Sequence, residues 1–184
     1  MFETIKDVNW SKLDQAHGKS DHIPEAINGL VSNDKDIRDA SYWKLDNYIV
    51  LQSDLYEAAF HVIPFLFEIL DSDIQHGRNN IYDLLFEIAN GSAPDDIKCV
   101  YHGEETELTT ACHSLILNHE KVYLDEISNV FSLSRMKALE LLVSLTENTE
   151  KKISFLSDIL NKENMKSELR THIIKAISEL DGTI

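Results

Sequence analysis

Two cysteines and eight histidines are the first residues here that could do chemistry, because thiolate and imidazole are ligands that zinc accepts. Cys99-x-x-His102 followed by Cys112-His113 offers suitable donors at a poor spacing. Adjacent residues on a helix diverge by about 100°, so Cys112 and His113 do not easily face one ion. A half-buried thiol and surface imidazoles account for them more simply, and neither metal nor cofactor is expected. Carboxylates are the second class. Asp83 and Glu87 lie four apart on one helix face, and Glu104, Glu105 and Glu107 crowd what reads as a helix start, where the dipole favours them. Paired carboxylates can move protons or hold Ca²⁺, but capping and solvation suffice to explain these. A Gly-rich phosphate loop, a Gly-x-Ser-x-Gly elbow and a His-Glu-x-x-His pair are all missing from the sequence. The expectation is a protein that catalyses nothing.

Charge then narrows the partner. The net charge is −15 and the pI about 4.8, which repels phosphate backbones and anionic lipid headgroups. Neither nucleic acid nor membrane is an expected partner. Residues 45–120 hold fourteen Asp or Glu against only Arg78 and Lys98, a net of −12, whereas residues 1–44 carry −2 and residues 121–184 carry −1. Solubility alone explains part of such acidity. The same middle region concentrates aromatic side chains: Trp43, Tyr48, Tyr56, Phe60, Phe65 and Phe67. Rigid aromatic anchors within a charged rim are how protein interfaces are often built. Core filling is the favoured role for Phe60 and Phe65; for Trp43 and Tyr56 the two roles are evenly weighted.

The elements that must position these residues read as helices. Only six Gly and three Pro interrupt the 184 residues, and an apolar share of 43% suffices for one continuous core. Trp10, Leu13 and Ala16 suggest a short leading helical segment, and Pro24 opens a helix ending near Ser32. Asn33 to Asp36 form a polar break before a stripe from Ile37 to Leu51. A third stripe runs from Tyr56 to Leu70 with Pro64 expected to bend or divide it, and a fourth ends at Asn90-Gly91. Residues 91–103 read as the longest loop. Five further stripes follow, around residues 108–116, 122–130, 138–145, 153–160 and 169–180. About nine helices in a single domain, 1–184, are expected. No run of eighteen apolar residues occurs. The first ten residues lack a basic leader and an apolar segment, so a cytoplasmic site with free thiols is expected.

Helix pairs of about forty residues without side chemistry have the size of HEAT or armadillo units. Trp10 to Gly18, Ile23-Pro24 to Leu30, Asp36-Ile37-Arg38-Asp39-Ala40 to Leu45, and Ala58-Ala59 to Ile63-Pro64-Phe65-Leu66 resemble the N-terminal arrangement of bacterial HEAT-repeat proteins. Arg78 to Ile88 resembles their next repeat helix, and Ser134-Arg135-Met136-Lys137-Ala138 is a looser echo. By this resemblance residues 1–90 are the better matched hairpins and 104–184 the diverged ones. The resemblance implies an all-α fold, a right-handed α-α superhelix of stacked antiparallel helix pairs whose concave face holds a protein partner. Some small bacterial members of that group are similar to immunity proteins that sit beside toxins. The resulting expectation is a non-catalytic binding module, most specifically an immunity protein that blocks a basic toxin. Its contributors would be Trp43, Asp46, Asp54, Tyr56, Glu57, Asp83, Glu87, Glu104, Glu105 and Glu107. A generic HEAT scaffold or regulator is the first alternative, and a HEAT-like lyase or glycosylase the second; a glycosylase would need a basic groove that the acidic middle denies.

Overall fold

The computed structural model describes residues 1–162 and 167–182; residues 163–166 and 183–184, inside the expected domain 1–184, lie outside the described residues. The chain does not begin with the expected helix. Residues 1–22 make three 3-10 turns, Ile5–Asp7, Trp10–Lys12 and Ser20–His22. Backbone bonds to later elements replace the helical ladder: the Ala16 amide donates to Tyr48 O at 2.9 Å, and the Ala58 amide donates to Asp14 O at 3.1 Å. Trp10 is buried, donates its indole N–H to Ile5 O at 2.7 Å, and packs with Phe2 against Phe65. Aromatic burial therefore fastens this segment.

Helix α1 (Ile23–Gly29) and helix α2 (Lys35–Ile49) pack against each other. Asp34 caps α2, its side chain accepting from the Asp36 amide at 2.9 Å. The two helices meet at Gly29, where an added Cβ would stand 1.9 Å from Ser41 Oγ and 3.0 Å from Ser41 Cβ. Gly29→Ala is expected to destabilise the fold by about 1–3 kcal/mol. Urea denaturation should show this, with part of the loss recovered by adding Ser41→Gly.

Helix α2 stops two residues short of the expected Leu51. Val50–Leu51 (β1) pairs antiparallel with Asp54–Leu55 (β2), joined by Gln52 and Ser53 at φ of 53° and 69°. Two consecutive left-handed residues match the twist of a two-residue hairpin, and the Leu55 amide ties it to Ser92 O at 2.8 Å. Helix α3 (Glu57–Leu70) is continuous through Pro64, which is exposed. The proline removes one donor without dividing the helix, because nine of the fourteen residues are buried and hold it by packing. Helix α4 (Arg78–Asn90) follows.

The expected loop over 91–103 is irregular only through residue 97. Lys98–Tyr101 (β3) then pairs with Glu104–Glu107 (β4) around His102 and Gly103, at φ of 52° and 85°. Glu104, Glu105 and Glu107 therefore lie on a strand, not on the first turn of a helix, because this left-handed pair folds the chain back before α5 (Leu108–Leu117) begins. Helices α6 (Glu120–Ser128), α7 (Arg135–Ser144), α8 (Thr149–Lys162) and α9 (Ser167–Leu180) complete the order. Val130, expected on a buried stripe, lies beyond α6 and is 56% exposed.

The described residues thus form nine α-helices and two short hairpins. Chain neighbours pack as pairs, α1 with α2, α3 with α4, α6 with α7 and α8 with α9, while α2, α4, α7 and α9 touch one another in turn. One apolar core runs from Phe2 to Ala176. It also encloses an ion pair: the Arg78 guanidinium bonds Glu126 through Nε at 2.9 Å and through Nη2, and donates from Nη1 to Leu70 O at 3.0 Å. Tyr82 donates its hydroxyl to the same carboxylate at 3.1 Å, and Ser132 Oγ donates to its other oxygen. No helix among the described residues is long and apolar enough to cross a membrane.

Candidate functional site

Helix periodicity puts Asp39, Tyr42 and Asp46 on one side of α2, and Asn80, Asp83 and Glu87 on one side of α4. Because α2 packs on α4, these two rows meet. Asn80 Nδ2 donates to Asp39 Oδ1 at 3.4 Å, and the Tyr42 hydroxyl donates to Asp46 Oδ1 at 3.5 Å. Burial lifts the Asp46 carboxyl above its ordinary range; Glu87 and Asp83 lift it further, opposed by the Tyr42 hydrogen bond. The Tyr42 phenol is pushed upward by burial and then by the charges of Asp46, Asp83 and Glu87. Lys137 of α7 sits beside this group, its Nζ 3.0 Å from Asp83 and 2.9 Å from Glu140. Its own pKa rises, chiefly through the bond to Glu140. Trp43 flanks the row, 56% exposed, its ring edge-on to Tyr42 at 4.9 Å.

Of the ten expected contact residues, Trp43, Asp46, Asp83 and Glu87 are thus brought to one surface. The other six lie on β2, at the start of α3 and on β4. Asp54 is exposed on β2, Tyr56 occupies the cap position of α3, and Glu57 accepts from the Asp14 amide at 3.3 Å. Glu104, Glu105 and Glu107 are exposed on β4, in the hairpin whose Tyr101 ring lies 6.1 Å from Phe60 of α3. Phe65 and Phe67 are buried, the latter stacked on His119 at 3.7 Å. Sequence reasoning missed Tyr42 and Lys137; the three and four residue steps from Asp39 to Asp46 carried the only signal for the former.

The zinc-type donors have other surroundings. Cys99 and Cys112 are free and buried, and burial raises both thiols. His113 Nδ1 lies 3.7 Å from Glu147, and His102 occupies the β3–β4 turn. Among the described residues no three His, Cys, Asp or Glu side chains gather as a metal site would require.

No family model, curated protein or solved structure matches this chain. Function is therefore read from the residues themselves. The α2–α4 face brings Asp46, Asp83 and Glu87 near one another beside the exposed Trp43 ring. Holding Asp46 ionised there weakens the fold. Its carboxyl has a raised folded-state pKa, so the folded protein takes up a proton first as pH falls, and the cost is present above that pKa and relieved below it. Asp46→Asn is expected to raise the thermal midpoint by about 1–3 °C near pH 7. The gain should shrink as pH falls through the raised folded-state pKa, where the wild-type carboxyl takes up its own proton.

Proposed function

We propose that this protein catalyses nothing and acts by capturing a basic protein on the α2–α4 face, in the manner of an immunity protein that blocks a cationic toxin. The observation that carries this reading is the convergence of Asp46, Asp83 and Glu87, with Lys137 as the neighbouring cation. Like charges held together at a cost to the fold are relieved by a cationic mate, so strain in the free protein becomes affinity in the complex. Carboxylates on parallel helix rows speed encounter with a basic site and exclude its anionic substrate. Trp43 would anchor the contact as a rigid ring with a polar rim.

The successive contacts of α2, α4, α7 and α9 support a HEAT-like stack in which second helices line one side. A cytoplasmic site, where a toxin would meet its target, is part of the same reading. In capture from native extract, wild-type protein should retain a strongly basic partner, with pI above about 9. The Asp46→Lys/Asp83→Lys/Glu87→Lys variant should lose it. Partners that are acidic, or that both proteins retain equally, would favour a generic scaffold whose acidity only keeps it soluble.

A further inference from the structure

The β3–β4 hairpin has a wet side and a packed side. Lys98, Val100, Glu105 and Glu107 are exposed on the first, whereas on the second Cys99 is buried and Tyr101 and Thr106 are half-buried. The packed side lies against α5 and α3: the Tyr101 hydroxyl accepts from Asn118 Nδ2 at 2.9 Å, and its ring stands 6.1 Å from Phe60. Helix α5 in turn buries Leu108, Ala111, Cys112 and Ile116 completely. Cys99 and Cys112, the two free thiols, are thus both turned into the protein from elements that touch.

Two hydrogen bonds fix how β3 and α5 lie along each other. At one end the Leu108 amide donates to Ile97 O at 3.0 Å, and at the other Asn118 meets the Tyr101 hydroxyl. A strand rises about 13 Å from Ile97 to Tyr101 and a helix about 15 Å from Leu108 to Asn118, so the two elements run side by side in one direction. Cys99 stands two residues past Ile97, about 6.6 Å along the strand, and Cys112 four residues past Leu108, about 6 Å along the helix. The two thiols therefore reach the same level. In keeping with this, Cys99 is the group that, after burial, raises the Cys112 thiol.

We infer that Cys99 and Cys112 are a redox couple, a dithiol that closes to a disulfide and staples the β3–β4 hairpin to α5. The oxidant is a small disulfide such as oxidised glutathione. The Cys99 thiolate attacks one glutathione sulfur, forming a mixed disulfide and expelling one glutathione thiolate; the Cys112 thiolate then attacks Cys99 Sγ, closing the ring and expelling the second. The protein gives up two electrons and two protons, and oxidised glutathione becomes two thiols. Cys99 attacks first because it is the less buried, 7% exposed against 0%. Burial holds both thiols protonated at neutral pH, so exchange in the folded chain is slow and waits on opening of the hairpin. At a reducing glutathione poise the pair stays open, as in this structure.

Equilibration with glutathione reads the juxtaposition without depending on access to the folded thiols. The full chain is unfolded in urea with reduced and oxidised glutathione, then either kept unfolded or refolded in the same redox buffer, quenched with acid and alkylated. Trypsin leaves both cysteines in one peptide, residues 99–121, so the ring appears as that peptide two hydrogens lighter and without alkyl groups. The ring-closing equilibrium constant is expected to be about 100-fold larger in the folded chain than in urea, as a loop of this length allows when the native geometry accepts the bond. By the same linkage the oxidised chain should melt about 5–10 °C above the reduced one. Cys99→Ser should abolish the ring and leave Cys112 carrying glutathione in urea but a free thiol when folded. A constant no larger folded than unfolded, or a folded wild-type chain carrying glutathione on either cysteine in place of the ring, would overturn the inference.

Discussion

Arg78→Ala is expected to destabilise the fold by about 3–5 kcal/mol, lowering the thermal midpoint by roughly 6–20 °C for a chain of this size. Arg78 and Glu126 are both buried and come from α4 and α6, forty-eight residues apart. Removing the guanidinium leaves the carboxylate in the core with only Tyr82 and Ser132 to solvate it, and strips a donor from Leu70 O. An uncompensated buried charge costs far more than the pair itself contributes. The double variant Arg78→Met/Glu126→Leu should therefore recover more than half of the loss, the remainder reflecting the unpaired Tyr82 hydroxyl and backbone carbonyls. Urea denaturation of the three proteins checks this; a loss under about 1 kcal/mol for Arg78→Ala would show that the pair is not closed from water.

Reversing the acidic face should have an effect of similar size on binding. With the captured basic partner purified, Asp46→Lys/Asp83→Lys/Glu87→Lys is expected to weaken affinity about 100-fold or more at low salt, much of it through slower association. The wild-type affinity should itself fall steeply as salt screens the contact. Reversing Glu104, Glu105 and Glu107 instead should change affinity less than about threefold, because all three lie on β4, outside the α2 and α4 rows that carry Asp46, Asp83 and Glu87. If the β4 reversal were the more damaging, the contact would belong to that hairpin.

Much of the helical architecture was legible because burial writes a 3.6-residue period into the chain. The stripes at Ile81, Leu84, Leu85 and Ile88 or at Leu169, Ile173 and Ala176 are buried as the spacing demands. The hairpins were not legible. Gln52-Ser53 is a weak turn signal, and in β3 a single buried position, Cys99, is too short an alternation to outweigh helix-forming glutamates nearby. Glu104, Glu105 and Glu107 therefore read as a helix start although they form a strand. At the candidate site, Asp83 and Glu87 could be paired from their spacing alone. Their meeting with Asp46 depends on α2 packing against α4, a tertiary fact that no local period encodes. The Arg78–Glu126 pair and the exposed Phe131 and Leu133 escaped for the same reason: a charged residue reads as surface and an apolar one as core until the neighbours are known.

The proposal that this protein neutralises a basic toxin is tested most directly by growth of cells co-expressing the captured partner with either wild-type protein or the triple Asp46, Asp83 and Glu87 reversal. The prediction is that the partner alone arrests growth, that wild-type protein restores it, and that the reversed variant, folded and equally abundant, does not. Protection by the reversed variant equal to that by wild type, or a partner that leaves growth untouched, would contradict it.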